Sequence, residues 1–94
     1  MSYELEFIDK SLKEWNKLGS TVKAQFKKKL CERLESPKIE SSRVSGMTDC
    51  YKIKLRQAGY RLVYQVQDER LVVLVLVVGK RERNSVYKSA IKRI

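Results

Sequence analysis

The chain has no histidine. This removes the side chain most often used for acid–base chemistry near neutral pH, and the commonest metal ligand. It has two cysteines, Cys31 and Cys50. A zinc site takes about four ligands at characteristic spacing, and these residues cannot supply it. No metal and no cofactor is therefore expected. Cys31 falls on the apolar side of a predicted helix, where a small buried hydrophobe is the expected state. A disulfide is not expected in a cytosolic domain. Long apolar runs are also missing. The longest, LVVLVLVV from Leu71 to Val78, makes a strand and is too short to span a bilayer as a helix. The start, MSYELEFIDKSLKEW, lacks the basic then apolar order of a secretory signal. A soluble cytoplasmic protein with no membrane partner is expected. The loop around Gly46 has no phosphate-loop pattern, so no nucleotide site is assigned there.

What remains is one compact, basic chain. Its 94 residues suit a single domain over 1–94, and a hydrophobic content of 43% is enough for one core. The formal net charge is +10, which points to a polyanionic partner. The charge is uneven. Residues 1–42 hold 9 basic and 7 acidic side chains, net +2, whereas residues 43–94 hold 12 and 4, net +8. The second half is where an anion should bind.

Periodicity orders the elements. YELEFI alternates as a strand. A short helix follows, with Asp9 as cap or Ser11 and Glu14 as a capping box, and Leu12, Trp15 and Leu18 as its apolar stripe. Gly19 stops it and Ser20 caps a second helix. Val22, Phe26, Leu30, Cys31 and Leu34 mark the buried side of that helix, and Lys27 to Lys29 lie around its solvent side. Pro37 ends it. Residues 36–49 read as a loop. Two strands with a turn between them span 50–66. After a turn at Gln67 to Arg70 comes the apolar strand 71–78, which should be central, and Gly79 breaks it. The last helix carries Val86, Tyr87, Ala90, Ile91 and Ile94 on one side, with Lys88, Lys92 and Arg93 on the other. The expected fold class is α+β. It is a small, antiparallel-rich four-stranded sheet with two N-terminal helices on one face and a C-terminal helix partly covering the other.

The hairpin concentrates charge. Ile53 and Leu55 join Leu62, Tyr64 and Val66 inside only if paired residue numbers sum to an odd value. That selects a two- or four-residue turn around Gln57 to Gly59. Lys54 or Arg56 then faces Arg61, and Lys52, Lys54, Arg56 and Arg61 share one face. Opposed like charges destabilise by up to about 1 kcal/mol, and a bound anion would offset this. Lys80, Arg81 and Arg83 extend the charge from the end of the central strand. Tyr87 follows one helical turn later, with either a core role or a ring packed inward and a hydroxyl at the rim.

Cleavage of RNA by its own 2′-hydroxyl needs a base, an acid for the leaving 5′-oxygen, and cations around the phosphorane. The basic half has only Asp49, Asp68, Glu69 and Glu82 as carboxylates. None has a convincing place on the cationic face. Lysine, arginine or tyrosine must therefore do the chemistry. A lysine among other cations loses its proton more readily, so Lys52 or Lys54 is the candidate base. Such a set is poor for a stand-alone nuclease and suggests that another scaffold positions the substrate.

The stretches LKEWNKLGSTVKAQFKKKL, LESPKIE, GMTDCYKIKLRQAGYRLVYQV and VGKRERNSVYKSAIKRI resemble the RelE family of bacterial type II toxins along the whole chain. The resemblance implies a RelE/ParE toxin-like fold, similar to small microbial ribonucleases. It also implies a metal-independent endonuclease that cuts mRNA in the A site of the 70S ribosome, with 16S rRNA contacts. The products would carry a 2′,3′-cyclic phosphate. By resemblance the catalytic set is Lys52, Lys54, Arg61, Arg81 and Tyr87, and Arg56, Lys80 and Arg83 are further RNA-binding residues. Lys54 is the expected base. Arg81 serves the leaving oxygen, Arg61 holds the phosphate, and Tyr87 stacks on or orients the nucleotide. A cognate antitoxin protein is the implied partner, and operator DNA is met only through that complex. Two alternatives stand beside this: a non-cleaving module acting as transcriptional corepressor, and a gyrase inhibitor of the ParE kind.

Overall fold

A computed structural model describes residues 2–80 and 85–94. The elements are β1 (Glu4–Phe7), α1 (Asp9–Asn16), α2 (Ser20–Glu35), β2 (Cys50–Leu55), β3 (Tyr60–Gln67), β4 (Val72–Lys80) and α3 (Ser85–Arg93). One turn of 3₁₀-helix, Glu40–Ser42, interrupts the expected loop. The sheet order is β1-β4-β3-β2. β1 runs parallel to β4, and the other pairings are antiparallel.

The alternation of β2 and β3 decides the layers. Tyr51, Ile53, Leu55, Leu62, Tyr64 and Val66 point to one face, where Trp15 of α1 and Phe26 and Leu30 of α2 close the main core. Burying each such large side chain contributes roughly 1.5–3 kcal/mol. Cys50, Val63, Leu76 and Val77 point to the other face and meet Val86 and Ala90 of α3. Val44 and Met47, from the stretch read as loop, also pack there. The apolar run of β4 serves both faces through a bulge. Val63 pairs with Val77 and Tyr64 with Val75, which leaves Leu76 unmatched. Leu76 and Val77 thus turn to the same side, and Val78 returns to the main core.

Several expectations need correction. Asp9 does not cap α1. Instead Ser11, fully buried, accepts the Ile8 N–H at 3.1 Å and donates to the Val75 carbonyl at 2.7 Å, which stitches α1 to β4. Leu12 is 43% exposed, so the stripe of α1 rests mainly on Trp15. Cys31 is exposed and Cys50 is the buried cysteine. One helical step of 100° carries Cys31 past the edge of the face that buries Leu30. Leu71 does not start β4. It closes the preceding turn with φ 54°, and the strand runs on through Gly79 to Lys80 because β3 still supplies partners for both. Ile91 and Ile94 are exposed at 58% and 62%. Arg93, expected in solvent, is mostly buried against Glu14.

Candidate functional site

α3 covers β3 and β4 on the second face and stops short of β2. The uncovered part holds the charged residues of the hairpin. β2 and β3 are joined by the four-residue turn 56–59, in which the Gly59 N–H reaches the Leu55 carbonyl at 2.8 Å. Gly59 sits at φ 73°, a left-handed conformation that favours glycine. This turn sets Lys54 opposite Arg61 and Lys52 opposite Val63. Of the two registers open to the sequence, the Lys54–Arg61 pairing is therefore the one adopted. Lys52, Lys54 and Arg61 are all half-buried on one face.

Tyr87 enters from the first turn of α3, and its ring is flanked by cations. Lys52 Nζ stands 5.9 Å from the ring centroid and Arg61 Cζ 5.3 Å. Such contacts contribute about 0.5–2 kcal/mol each, rising as water is excluded. They hold both cations toward a common point. The tyrosine thus belongs partly to the α3 core and partly to the site.

Two polar atoms here are buried with no hydrogen-bond partner among the described residues: Arg61 Nε and Tyr87 Oη. An unpaired buried donor costs about 1–3 kcal/mol, so natural structures rarely keep one without a use. Here the two occur together, on residues whose side chains touch. Among the described residues, no acidic side chain lines this part of the site. A cavity of about 110 Å³, lined by Lys54, Leu55, Arg56, Tyr60 and Arg61, has no carboxylate in its wall among the described residues. The four ion pairs among the described residues all lie elsewhere: Lys38–Asp68, Arg43–Glu40, Arg70–Glu6 and Arg93–Glu14.

Comparison with known proteins now bears on this site. Residues 5–85 match the family model described as "ParE toxin of type II toxin-antitoxin system, parDE". The chain belongs to the RelE/ParE toxin family. Within that family it is 65% identical to the mRNA interferase toxin RelE of Escherichia coli strain K12, over 100% of this chain and 99% of that one. It is 50% identical to a putative RelE-like toxin protein of Escherichia coli over the same shares. The fold agrees with solved RelE structures. A free doubly arginine-substituted E. coli RelE superposes with a TM-score of 0.93 at 63% identity, covering 100% of this chain and 99% of that one. The toxin of the intact E. coli RelBE toxin–antitoxin complex gives 0.84 at 65% identity, covering 87% and 100%.

Not every cation assigned from this RelE-like sequence joins the cluster. Arg56, exposed at the start of the turn, shares the small cavity with Lys54 and Arg61. Lys80 pairs with Tyr60, one step beyond the Arg61–Gly79 pair, so the register puts it on the face opposite Lys54. Arg81 and Arg83 lie outside the described residues. One supporting pair was not foreseen. Arg93 donates from Nη1 and Nη2 to the two Glu14 carboxylate oxygens at 2.9 and 3.0 Å, and from Nη1 to the Leu76 carbonyl at 2.8 Å. Glu14 Oε1 also accepts the Val78 N–H at 3.1 Å. This clamp fixes the end of α3 across the bulge of β4, and so sets where α3 presents Tyr87. No sequence signal points to it: Glu14 reads as part of a capping box and Arg93 as solvent-facing.

Proposed function

We propose that this chain, as one RelE-like domain over residues 1–94, is a cytoplasmic ribosome-dependent mRNA endonuclease. It cuts the A-site codon and thereby inhibits translation. A cognate antitoxin binds and silences it, and the pair represses its own operon. The observation that carries this reading is the convergence of Lys52 and Arg61 on the Tyr87 ring, with Lys54 opposite Arg61 and, among the described residues, two buried donors without a partner and no carboxylate lining the cavity. Such a site suits an anion whose negative charge grows during reaction. The full-length 65% identity to a protein named as an mRNA interferase supports the same chemistry.

In this mechanism Lys54, assisted by Lys52, takes the proton of the 2′-hydroxyl. The 2′-oxygen attacks the adjacent phosphorus. Arg61 holds the non-bridging oxygens as the phosphorane forms, and Tyr87 orients the nucleotide. The bond to the 5′-oxygen breaks; Arg81 donates a proton to that oxygen, or holds it while it is protonated, and the proton taken up by Lys54 restores the balance. The products are a 2′,3′-cyclic phosphate and a free 5′-hydroxyl, and no water or metal enters the balance. With no carboxylate or imidazole in the set, chemistry depends on the ribosome to align the 2′-oxygen with the scissile bond.

The test compares wild type with Lys54→Ala, Arg81→Ala and Tyr87→Phe in single-turnover cleavage of ribosome-bound mRNA. Each substitution should slow cleavage by about 10²–10⁴-fold. Near-normal rates in all three would remove the site assignment. No A-site cut by wild type would remove the enzyme and leave the corepressor reading. The name of the matched family keeps gyrase inhibition as a second reading, and a supercoiling assay decides it.

A further inference from the structure

The cationic surface does not stop at the catalytic face. Lys54 and Arg56 line the small cavity with Arg61, and they also line a groove of about 350 Å³ on the far side of the β2 edge. The opposite wall of that groove is α2, through Lys29 and Arg33, with Ser42 at its floor and Lys52 beside it. A further hollow joins Lys29 directly to Lys54 and Arg56. The positive surface therefore wraps round the edge strand from Arg61 to α2. Lys29 belongs to a lysine run whose expected role was solvation, and the fold turns it toward the site.

Arg33 is the fixed part of this groove. Its Nη1 donates to Tyr64 Oη at 2.8 Å and to the Lys52 carbonyl at 3.3 Å, and its Nη2 donates to Ser42 Oγ at 3.2 Å. Every acceptor is neutral. Among the described residues no carboxylate lines the groove, and Lys29, Arg33, Lys52 and Arg56 form no ion pair. Arg33 is thus held in place, and the charges of Lys29, Arg33, Lys52 and Arg56 meet no carboxylate among the described residues, which suits a polyanion. A peptide strand added to the β2 edge is a poorer occupant. The Lys52 carbonyl is already taken by Arg33, Tyr51 is bridged by Arg43, and the Cys50 carbonyl accepts the Val44 N–H at 2.9 Å. The groove also lacks aromatic side chains on which bases could stack.

We infer that this groove is a second RNA site, a phosphate track for the substrate strand as it leaves the catalytic face over the β2 edge. Lys29 and Arg33 contact its backbone without reading sequence. The inference rests on the endonuclease reading for the identity of the strand. It gives Arg56 a place, at the ridge between cavity and groove.

The test uses uncleavable 2′-O-methyl oligoribonucleotides of 3 and 12 nucleotides, fluorescein-labelled, with wild type, Lys29→Glu, Lys29→Ala and Lys29→Arg. Lys29 is exposed on α2, so these variants keep the fold. Wild type should bind the 12-mer at least tenfold more tightly than the 3-mer. Lys29→Glu should remove most of that gain and leave the 3-mer affinity within about twofold. Lys29→Ala should lower the salt slope for the 12-mer by about 0.7, the loss of one phosphate contact, and Lys29→Arg should restore it. Equal loss on both lengths, no loss on either, or no length dependence in wild type would overturn the inference. The endonuclease reading fails separately, if wild type does not cut ribosome-bound mRNA.

Discussion

Tyr87→Phe should move stability and activity in opposite directions. The hydroxyl of Tyr87 is buried and makes no hydrogen bond among the described residues. Removing it breaks no hydrogen bond among the described residues. It relieves a desolvation cost of about 1–3 kcal/mol, while the ring stays to receive Lys52 and Arg61 at 5.9 and 5.3 Å. In a domain of this size, 1 kcal/mol corresponds to a Tm shift of about 4–8 °C. The Phe variant should therefore melt at least about 4 °C higher by circular dichroism. If the hydroxyl acts on the nucleotide, the same variant should lose about 10²-fold or more in single-turnover cleavage on programmed ribosomes. Stability spent at a functional site is the signature of a group kept for its ligand. A Tm that falls by several degrees would refute the reasoning, because the hydroxyl would then hold the fold together. Unchanged cleavage would refute its role toward RNA.

Arg93→Ala should loosen α3. The pair with Glu14 is largely buried, with side-chain exposures of 15% and 31%, and breaking it leaves an uncompensated carboxylate. A loss of about 2–3 kcal/mol is expected in denaturant unfolding, with amide exchange of Val86 to Ala90 rising more than that of β3 and cleavage falling as Tyr87 loses its seat. Equal protection in α3 before and after would remove the clamp. The cysteines should separate cleanly under iodoacetamide at pH 8. Cys31 is exposed and should be alkylated, whereas burial pushes the Cys50 thiol up to about 11, so native protein should take one adduct by mass spectrometry. The sign for stability follows. A raised folded value leaves stability whole below the ordinary 9.0, and it declines as pH rises toward about 11. Two adducts on native protein would contradict the burial.

Much of the fold was legible because the hairpin strands alternate strictly. The parity of Ile53, Leu55, Leu62, Tyr64 and Val66 placed Lys52, Lys54 and Arg61 on one face before any coordinates. The run from Leu71 to Val78 was less legible. An all-apolar strand carries no parity, so the bulge at Leu76 left no trace in it. Arg93 and Cys31 were misplaced for a related reason. A helical stripe gives a face to within about one residue, and both lie at the stripe's margin. Ile91 and Ile94 looked buried by spacing, yet α3 sinks Val86 and Ala90, with part of Tyr87, into the core. How far a helix sinks onto a sheet is not a local property.

The amino-acid sequence alone determined which chemistry is possible. Without histidine, and with no carboxylate of the basic half given a convincing place on the cationic face by the pattern, any cleavage is expected to use lysine, arginine or tyrosine. It also set the family, through motifs spread over the whole chain. Tertiary structure decided which cations act together. Register brought Lys54 to Arg61 and put Lys80 on the opposite face. Docking of α3 set Tyr87 between Lys52 and Arg61 and left two buried polar atoms without a partner among the described residues. The packing of α2 beside β2 joined Lys29 and Arg33 to the same surface. Residue type is written in the chain, whereas neighbourhood among residues tens of positions apart arises only when separate elements close on one core.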